Sequence, residues 1–72
     1  HKILIIAADS SVPVLIEKGI YPHIVTAADP IPDKYKYFID NPEVTENVVL
    51  VACSSVYYKL LDVWKGDVWK NA

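Results

Sequence analysis

The fold is decided by the stretch Ile3-Leu4-Ile5-Ile6-Ala7-Ala8-Asp9-Ser10-Ser11, in which an uncharged apolar run of strand length is followed at once by three polar residues. Continuous apolar runs of this length are typical of strands covered on both faces, as in parallel sheets. The polar residues supply N-cap chemistry for a helix, and Pro13 fits its first turn. Gly19 is placed to end that helix after about two turns.

The same alternation of strand and helix continues along the chain. Three more strands are predicted, at His23–Ala28, Val48–Ala52 and Asp67–Lys70, with a helix from Val56 to about Lys65. One helical turn is predicted at 33–38, and the polar segment 40–47 is predicted to be a loop. This order is typical of βαβ units. We therefore expect an α/β, Rossmann-like parallel sheet with about four strands and two to three short helices.

Length and composition limit the class of protein. The 72 residues contain no Met and open inside a strand pattern, so we expect one unit, residues 1–72, that is a fragment of a larger doubly wound domain. The absence of Arg and the net charge of −2 argue against nucleic acid as a partner. The apolar runs are too short to span a membrane. A single cysteine, Cys53, fits a cytoplasmic location.

Small polar residues follow three of the predicted strands. In open α/β sheets, ligands bind outside the carboxyl ends of the strands, and free N–H groups at helix N-termini favour anions. Hydroxyl groups there can bind phosphate or sugar oxygens, and carboxylates can bind a ribose hydroxyl or hold magnesium. The candidate ligand-binding residues are Asp9, Ser10, Ser11, Asp29, Ser54 and Ser55. The alternative is that all of them are ordinary caps and turn formers.

Other reactive or aromatic residues favour structural roles. Cys53 has no histidine near it in sequence, so a buried or semi-buried inert thiol is expected. The aromatic residues of the segment 35–38 are expected to pack on the sheet as a lid. Trp64 and Trp69 are expected in the core or at an interface. No metal-ligand spacing and no hydrolytic triad is present in the sequence.

Several motifs in order resemble one bacterial and archaeal family. They are Ile5–Ser11, Leu15–Val25, Asp29-Pro30 and Lys36–Phe38, and the later strand and helix also fit. The chain resembles the central domain of the motility-associated-factor glycosyltransferases, which modify flagellin. The same family includes an archaeal 6-hydroxymethyl-dihydropterin pyrophosphokinase. His23 stands where the family often has Asp.

The resemblance implies a Rossmann-like domain that binds a nucleotide or a nucleotide-activated sugar, with magnesium accompanying the nucleotide. The parent protein would be a glycosyltransferase that acts on hydroxyl groups of a protein acceptor. The alternative enzymatic function is pyrophosphoryl transfer from ATP to a pterin at the same sheet edge. The family's upstream glycine-rich motif is absent from this sequence, so the fragment alone is expected to be inactive.

A non-catalytic function is a further alternative. Four short strands with only two or three helices leave apolar surface uncovered, and edge strands tend to pair. The chain would then be an α/β interaction module that binds its missing half or another copy of itself as a homo-oligomer, with Trp64 and Trp69 as anchors.

Overall fold

The protein is described by a computed structural model for residues 3–28, 30, 32–53 and 55–71. Its strands are β1 (Ile6–Ala8), β2 (Ile24–Ala27), β3 (Val49–Cys53) and β4 (Val68–Asn71). Its α-helices are α1 (Val12–Glu17), α2 (Lys36–Asp40) and α3 (Tyr58–Val63). Short 3₁₀ helices cover Asp9–Ser11, Pro32–Tyr35 and Pro42–Thr45.

The strands form one parallel sheet in the order β1-β2-β3-β4. This arrangement confirms the predicted Rossmann-like α/β fold. Right-handed crossovers between strands that follow one another in this order all lie on the same face of the sheet. The short helices are therefore expected to share one face.

The core lies on that single face, which we call the covered face. The register places Ala7, Val25 and Leu50 in one row across the sheet, and all three are buried. The helices and connections add the large side chains of the core. Tyr35 and Phe38 are among them and are almost fully buried. The predicted aromatic lid is confirmed.

Strand β1 is shorter than predicted. The apolar run begins at Ile3, but the ladder of β1 begins at Ile6, which is paired with the first residue of β2, Ile24. The segment before it is held by His23, whose Nδ1 accepts a hydrogen bond of 3.0 Å from the Ile5 amide. The His23 amide donates in return to the Ile5 carbonyl at 2.9 Å. The apolar composition predicts where the run begins, at Ile3. The pairing begins only at Ile6, because β2 offers no partner residue before Ile24.

The segment 40–47, predicted as a loop, contains the 3₁₀ helix Pro42–Thr45. Thr45 is fully buried. Its hydroxyl donates to the Pro42 carbonyl at 2.6 Å and accepts from the Lys65 amide at 2.9 Å. The bond from Lys65 fastens the polar segment to the chain just after α3. None of the helices within the described residues has the length and apolar character needed to cross a lipid bilayer.

Candidate functional site

The carboxyl end of β1 runs directly into the 3₁₀ turn Asp9–Ser11 and then into α1. Asp9 is 5% exposed, and its Oδ1 accepts a hydrogen bond of 2.7 Å from the Ser10 amide. Ser10 and Ser11 are exposed. The N-cap residue of α1 is Ser11, but it makes no capping bond with its side chain. The Asp9 carboxylate, rather than a serine hydroxyl, therefore binds a backbone amide of this turn.

The carboxyl ends of β2 and β3 are joined by Ser55. Its hydroxyl donates a hydrogen bond of 2.8 Å to the Ala28 carbonyl, the residue that follows β2. The N-cap position of α3 is Tyr57, and no side chain caps the helix there. Ser55 is therefore not an ordinary cap of this helix, because its hydroxyl connects two neighbouring loops of the sheet edge.

An open groove of about 310 Å³ lies along these strand ends. We call it the edge groove. Its lining residues come from the ends of the first three strands and the positions next to them: Ala8, Asp9, Thr26, Ala27, Ala28, Val51 and Cys53. The lining is mainly apolar, and Asp9 contributes its only carboxylate within the part of the chain that the structure describes. The groove lies where open α/β sheets bind ligands.

The structure places the predicted site residues in different relations to the edge groove. Asp9 lines it. Ser10 and Ser11 follow in the same turn, and Ser55 is tied to the groove residue Ala28. Asp29 and Ser54 lie outside the described residues. Whether any of these residues binds a ligand stays a prediction.

Sequence reasoning missed two polar residues of the groove, Thr26 and Cys53. Thr26 stands alone as a polar residue in an apolar strand, and that was an available signal. Cys53 was expected to be buried or semi-buried, but it is exposed. It lies two residues after Val51 and therefore on the same face of β3. That face is opposite the helices, so nothing in the described part of the chain covers the thiol.

A second concave surface, of about 510 Å³, lies at the opposite edge of the sheet. It is lined by residues before β3 and β4, including Glu46, Asn47, Lys65 and Asp67. Because ligands of open α/β sheets bind at the carboxyl edge, this amino-edge surface is the weaker candidate. No group of three or more His, Cys, Asp or Glu residues that could hold a metal ion occurs among the residues with described positions.

Comparisons with known proteins give one result. No match was found among curated proteins or among solved structures. A family model matches nearly the whole chain, over residues 1–71, and its description is 6-hydroxymethylpterin diphosphokinase MptE-like. With its parallel sheet and a groove at the carboxyl edge, the chain belongs to this MptE-like family.

Proposed function

We propose that the edge groove takes part in the transfer of a diphosphate group from MgATP to the hydroxymethyl group of a pterin. The observation that carries this proposal is the family match over residues 1–71. The location and lining of the edge groove support it.

The size of the groove favours the pterin as its occupant. Pockets for small molecules usually measure about 300–1,000 Å³, and the edge groove, at about 310 Å³, is at the lower limit. It has room for one bicyclic heterocycle and not for ATP as well. The nucleotide would extend outward, past the exposed hydroxyl groups of Ser10 and Ser11.

The lining matches the chemistry of a pterin ring. The apolar side chains of Ala27 and Val51 offer surfaces for a flat ring, and such surfaces with a few polar groups are typical of ligand pockets. The pyrimidine part of a pterin carries an amino group and a ring N–H, which are donors. A carboxylate is an acceptor with two oxygens. Asp9 is the groove residue suited to bind those donors.

The reaction requires a positioned alcohol and a neutralised phosphate chain. The hydroxymethyl oxygen attacks the β-phosphorus of ATP, the bond between that phosphorus and the oxygen bridging it to the α-phosphorus breaks, and AMP leaves. The hydroxyl proton passes to a base or to water. Catalysis of phosphoryl transfer depends mainly on positioning and electrostatic stabilisation. In this proposal the chain contributes the pterin site through Asp9 and phosphate contacts through Ser10 and Ser11.

Binding of the pterin can be tested separately from turnover. With the isotopically labelled chain, titration of a 6-hydroxymethylpterin should shift the amide signals of Ala28 and Val51. Asp9→Asn should weaken binding at least tenfold, since it removes the charge that strengthens these bonds. Glu17→Gln, at an exposed carboxylate on α1, is the matched control and should leave binding unchanged. Unchanged affinity in Asp9→Asn would contradict the pterin assignment.

The nucleotide-sugar function stays a prediction, and a second experiment, thermal unfolding with ligands, addresses it. Thermal unfolding with CMP, a CMP-sugar and MgATP compares the ligand classes. A ligand at 100 times its dissociation constant stabilises the folded state by about 2.7 kcal/mol. Stabilisation by the CMP ligands, and none by the pterin or MgATP, would replace the diphosphokinase proposal with the glycosyltransferase one. Formation of AMP and a pterin diphosphate, followed by ³¹P NMR, would support the proposal directly.

A further inference from the structure

Trp69 is an exposed tryptophan beside the edge groove. The register places Ala8, Thr26, Val51 and Trp69 in one row across all four strands. Residues paired in neighbouring parallel strands share a face of the sheet, and this row lies on the face opposite the helices. The first three members of the row line the edge groove. The row therefore continues from the groove lining directly to Trp69.

The exposure of Trp69 is unusual for its residue type. The residue is 63% exposed, whereas tryptophan is highly buried on average in folded proteins. The other tryptophan, Trp64, is only 7% exposed and packs in the core. A large aromatic ring stabilises a structure or a complex through the area that it buries. The Trp69 ring thus leaves most of its contact area available for a molecule outside the described part of the chain.

The geometry favours a flat ligand in the groove as that molecule. Within the described residues the groove is lined from the first three strands and from positions next to them, and none of its lining comes from β4. Neighbouring strands lie about 4.8 Å apart, and an indole is larger than this spacing, so the ring of Trp69 can reach a molecule that lies on Val51. The distance from β1 to β4 is roughly 14 Å at this spacing. A bicyclic ring fills that width together with the Asp9 carboxylate on one side and the indole on the other.

We propose that Trp69 is a ligand-binding residue whose indole stacks on the pterin ring in the edge groove. The identity of the ring rests on the proposed function, whereas the stacking follows from the position and exposure of Trp69. Aromatic rings attract one another in offset-stacked arrangements, and heterocyclic bases bind aromatic side chains in the same way. In this arrangement Asp9 binds the donors of the heterocycle, and Trp69 favours ligands that are flat.

The affinity of four chains for 6-hydroxymethylpterin tests the stack. The ligand is titrated with the wild-type chain, Trp69→Leu, Trp69→Phe and Tyr21→Leu, and binding is followed by the fluorescence anisotropy of the pterin. Trp69→Leu should raise the dissociation constant at least about fivefold, the lower end of the range for a stacked base. Trp69→Phe keeps an aromatic face and should lose much less. Tyr21→Leu is the matched control, since Tyr21 is 60% exposed but precedes β2, at the opposite edge of the sheet.

Two local readouts locate the ligand independently of the affinity. Cys53 is exposed and lines the groove, so saturating pterin should slow the alkylation of its thiol by iodoacetamide several-fold. In NMR spectra of the labelled chain, the indole N–H signal of Trp69 should move during the titration, because a stacked ring shifts the resonances of its neighbour. The Trp64 signal is the internal reference, since its N–H is bonded to the Val48 carbonyl in the core.

The variants separate failure of the stack from failure of the diphosphokinase proposal. If the pterin binds and protects Cys53, but Trp69→Leu binds it equally and is folded by its urea midpoint, the stack is wrong and the proposed function is untouched. If Trp69→Leu weakens binding and Asp9→Asn does not, the stack stands and the assignment of Asp9 is contradicted.

Other ligands and self-association give the remaining outcomes. If the pterin does not bind but CMP does, and Trp69→Leu weakens that binding, the diphosphokinase proposal fails and the indole stacks on a nucleobase instead. Binding of neither ligand contradicts both proposals. A dimer that Trp69→Leu dissociates, with the pterin affinity unchanged, would overturn the stack and assign the indole to an interface between copies of the chain.

Discussion

The indole of Trp64 donates a buried hydrogen bond of 2.8 Å from Nε1 to the carbonyl oxygen of Val48. It connects the residue after α3 to the residue before β3, which lie 16 positions apart in the sequence. The ring also contacts Phe38, with 5.3 Å between the ring centroids. Trp64 thus fastens the last helix to the sheet and to α2 at the same time.

Replacing Trp64 by Phe tests this connection. The variant keeps an aromatic ring but leaves the Val48 carbonyl buried without its donor. The cost of such an unsatisfied group is about 1–3 kcal/mol, and we expect a loss of unfolding free energy of that size in urea. Trp69→Phe is the control, because Trp69 is exposed and surface changes usually stay within about 0.5 kcal/mol. Equal losses in the two variants would show that the hydrogen bond contributes nothing.

Gly66 is predicted to be the glycine least tolerant of substitution. A Cβ atom at Gly66 would lie 2.1 Å from the carbonyl oxygen of Val48 and 2.8 Å from that of Thr45. Both obstacles are backbone atoms, so we expect Gly66→Ala to cost about 3 kcal/mol, the upper part of the usual range for overpacking.

Gly19 provides the comparison, since a Cβ atom there meets nothing within 4 Å. Its φ of +77° is the only source of strain, which costs about 1–2 kcal/mol for a residue with a side chain. Thermal and urea unfolding of both alanine variants should therefore rank Gly66→Ala as the more destabilised. The reverse order would mean that the chain between α3 and β4 moves to accommodate the methyl group.

The hydrogen bond that the His23 ring accepts from the backbone is predicted to stabilise the fold. His23→Ala removes the acceptor of the Ile5 amide, and the typical net value of such a bond is about 0.5–1.5 kcal/mol. His23→Asp supplies a carboxylate acceptor and should recover most of the loss. Both variants are compared by chemical denaturation, with amide hydrogen exchange at Ile5 as the local readout. If Asp recovers nothing, the ring contributes by packing.

The pKa of Lys36 is raised above its ordinary value by its hydrogen bond to Asp40 and by the charge of that carboxylate. The two side chains are 2.8 Å apart on the exposed side of α2. Since the folded-state pKa is the higher one, the stabilising contribution is present below the ordinary pKa of lysine and is lost as the pH rises through the folded-state value. Asp40→Asn should lower the pKa of Lys36 in an NMR titration. Asp33→Asn is the weaker perturbation and should lower it less.

Much of the architecture could be predicted because apolar runs and glycines are local signals. The predicted runs Ile3–Ala8 and His23–Ala28 contain the strands β1 and β2, and Gly19 ended its helix with a positive φ. The burial of Thr45 could not be predicted in this way. It depends on a hydrogen bond to Lys65, 20 positions away, and a polar composition does not reveal such a partner.

The candidate site was predictable in position and only partly in its members. The rule about strand ends located the edge groove and Asp9. It could not show that Ser55 binds the Ala28 carbonyl, because a serine at a loop can donate to a carbonyl as readily as it can cap a helix. The exposure of Cys53 depends on which face the helices cover, and a continuous apolar strand carries no information about that.

The sequential order of the strands has a consequence for how the chain folds. Paired residues lie 18 positions apart between β1 and β2 (Ile6 and Ile24), 25 between β2 and β3 (Ile24 and Val49) and 18 between β3 and β4 (Leu50 and Val68). Each strand after β1 therefore closes only one short loop onto the strand before it, and loops of similar length cost similar entropy. No strand has to be inserted between two others late in the process. The sheet can grow stepwise from any pair of neighbours, as a short repeat array does.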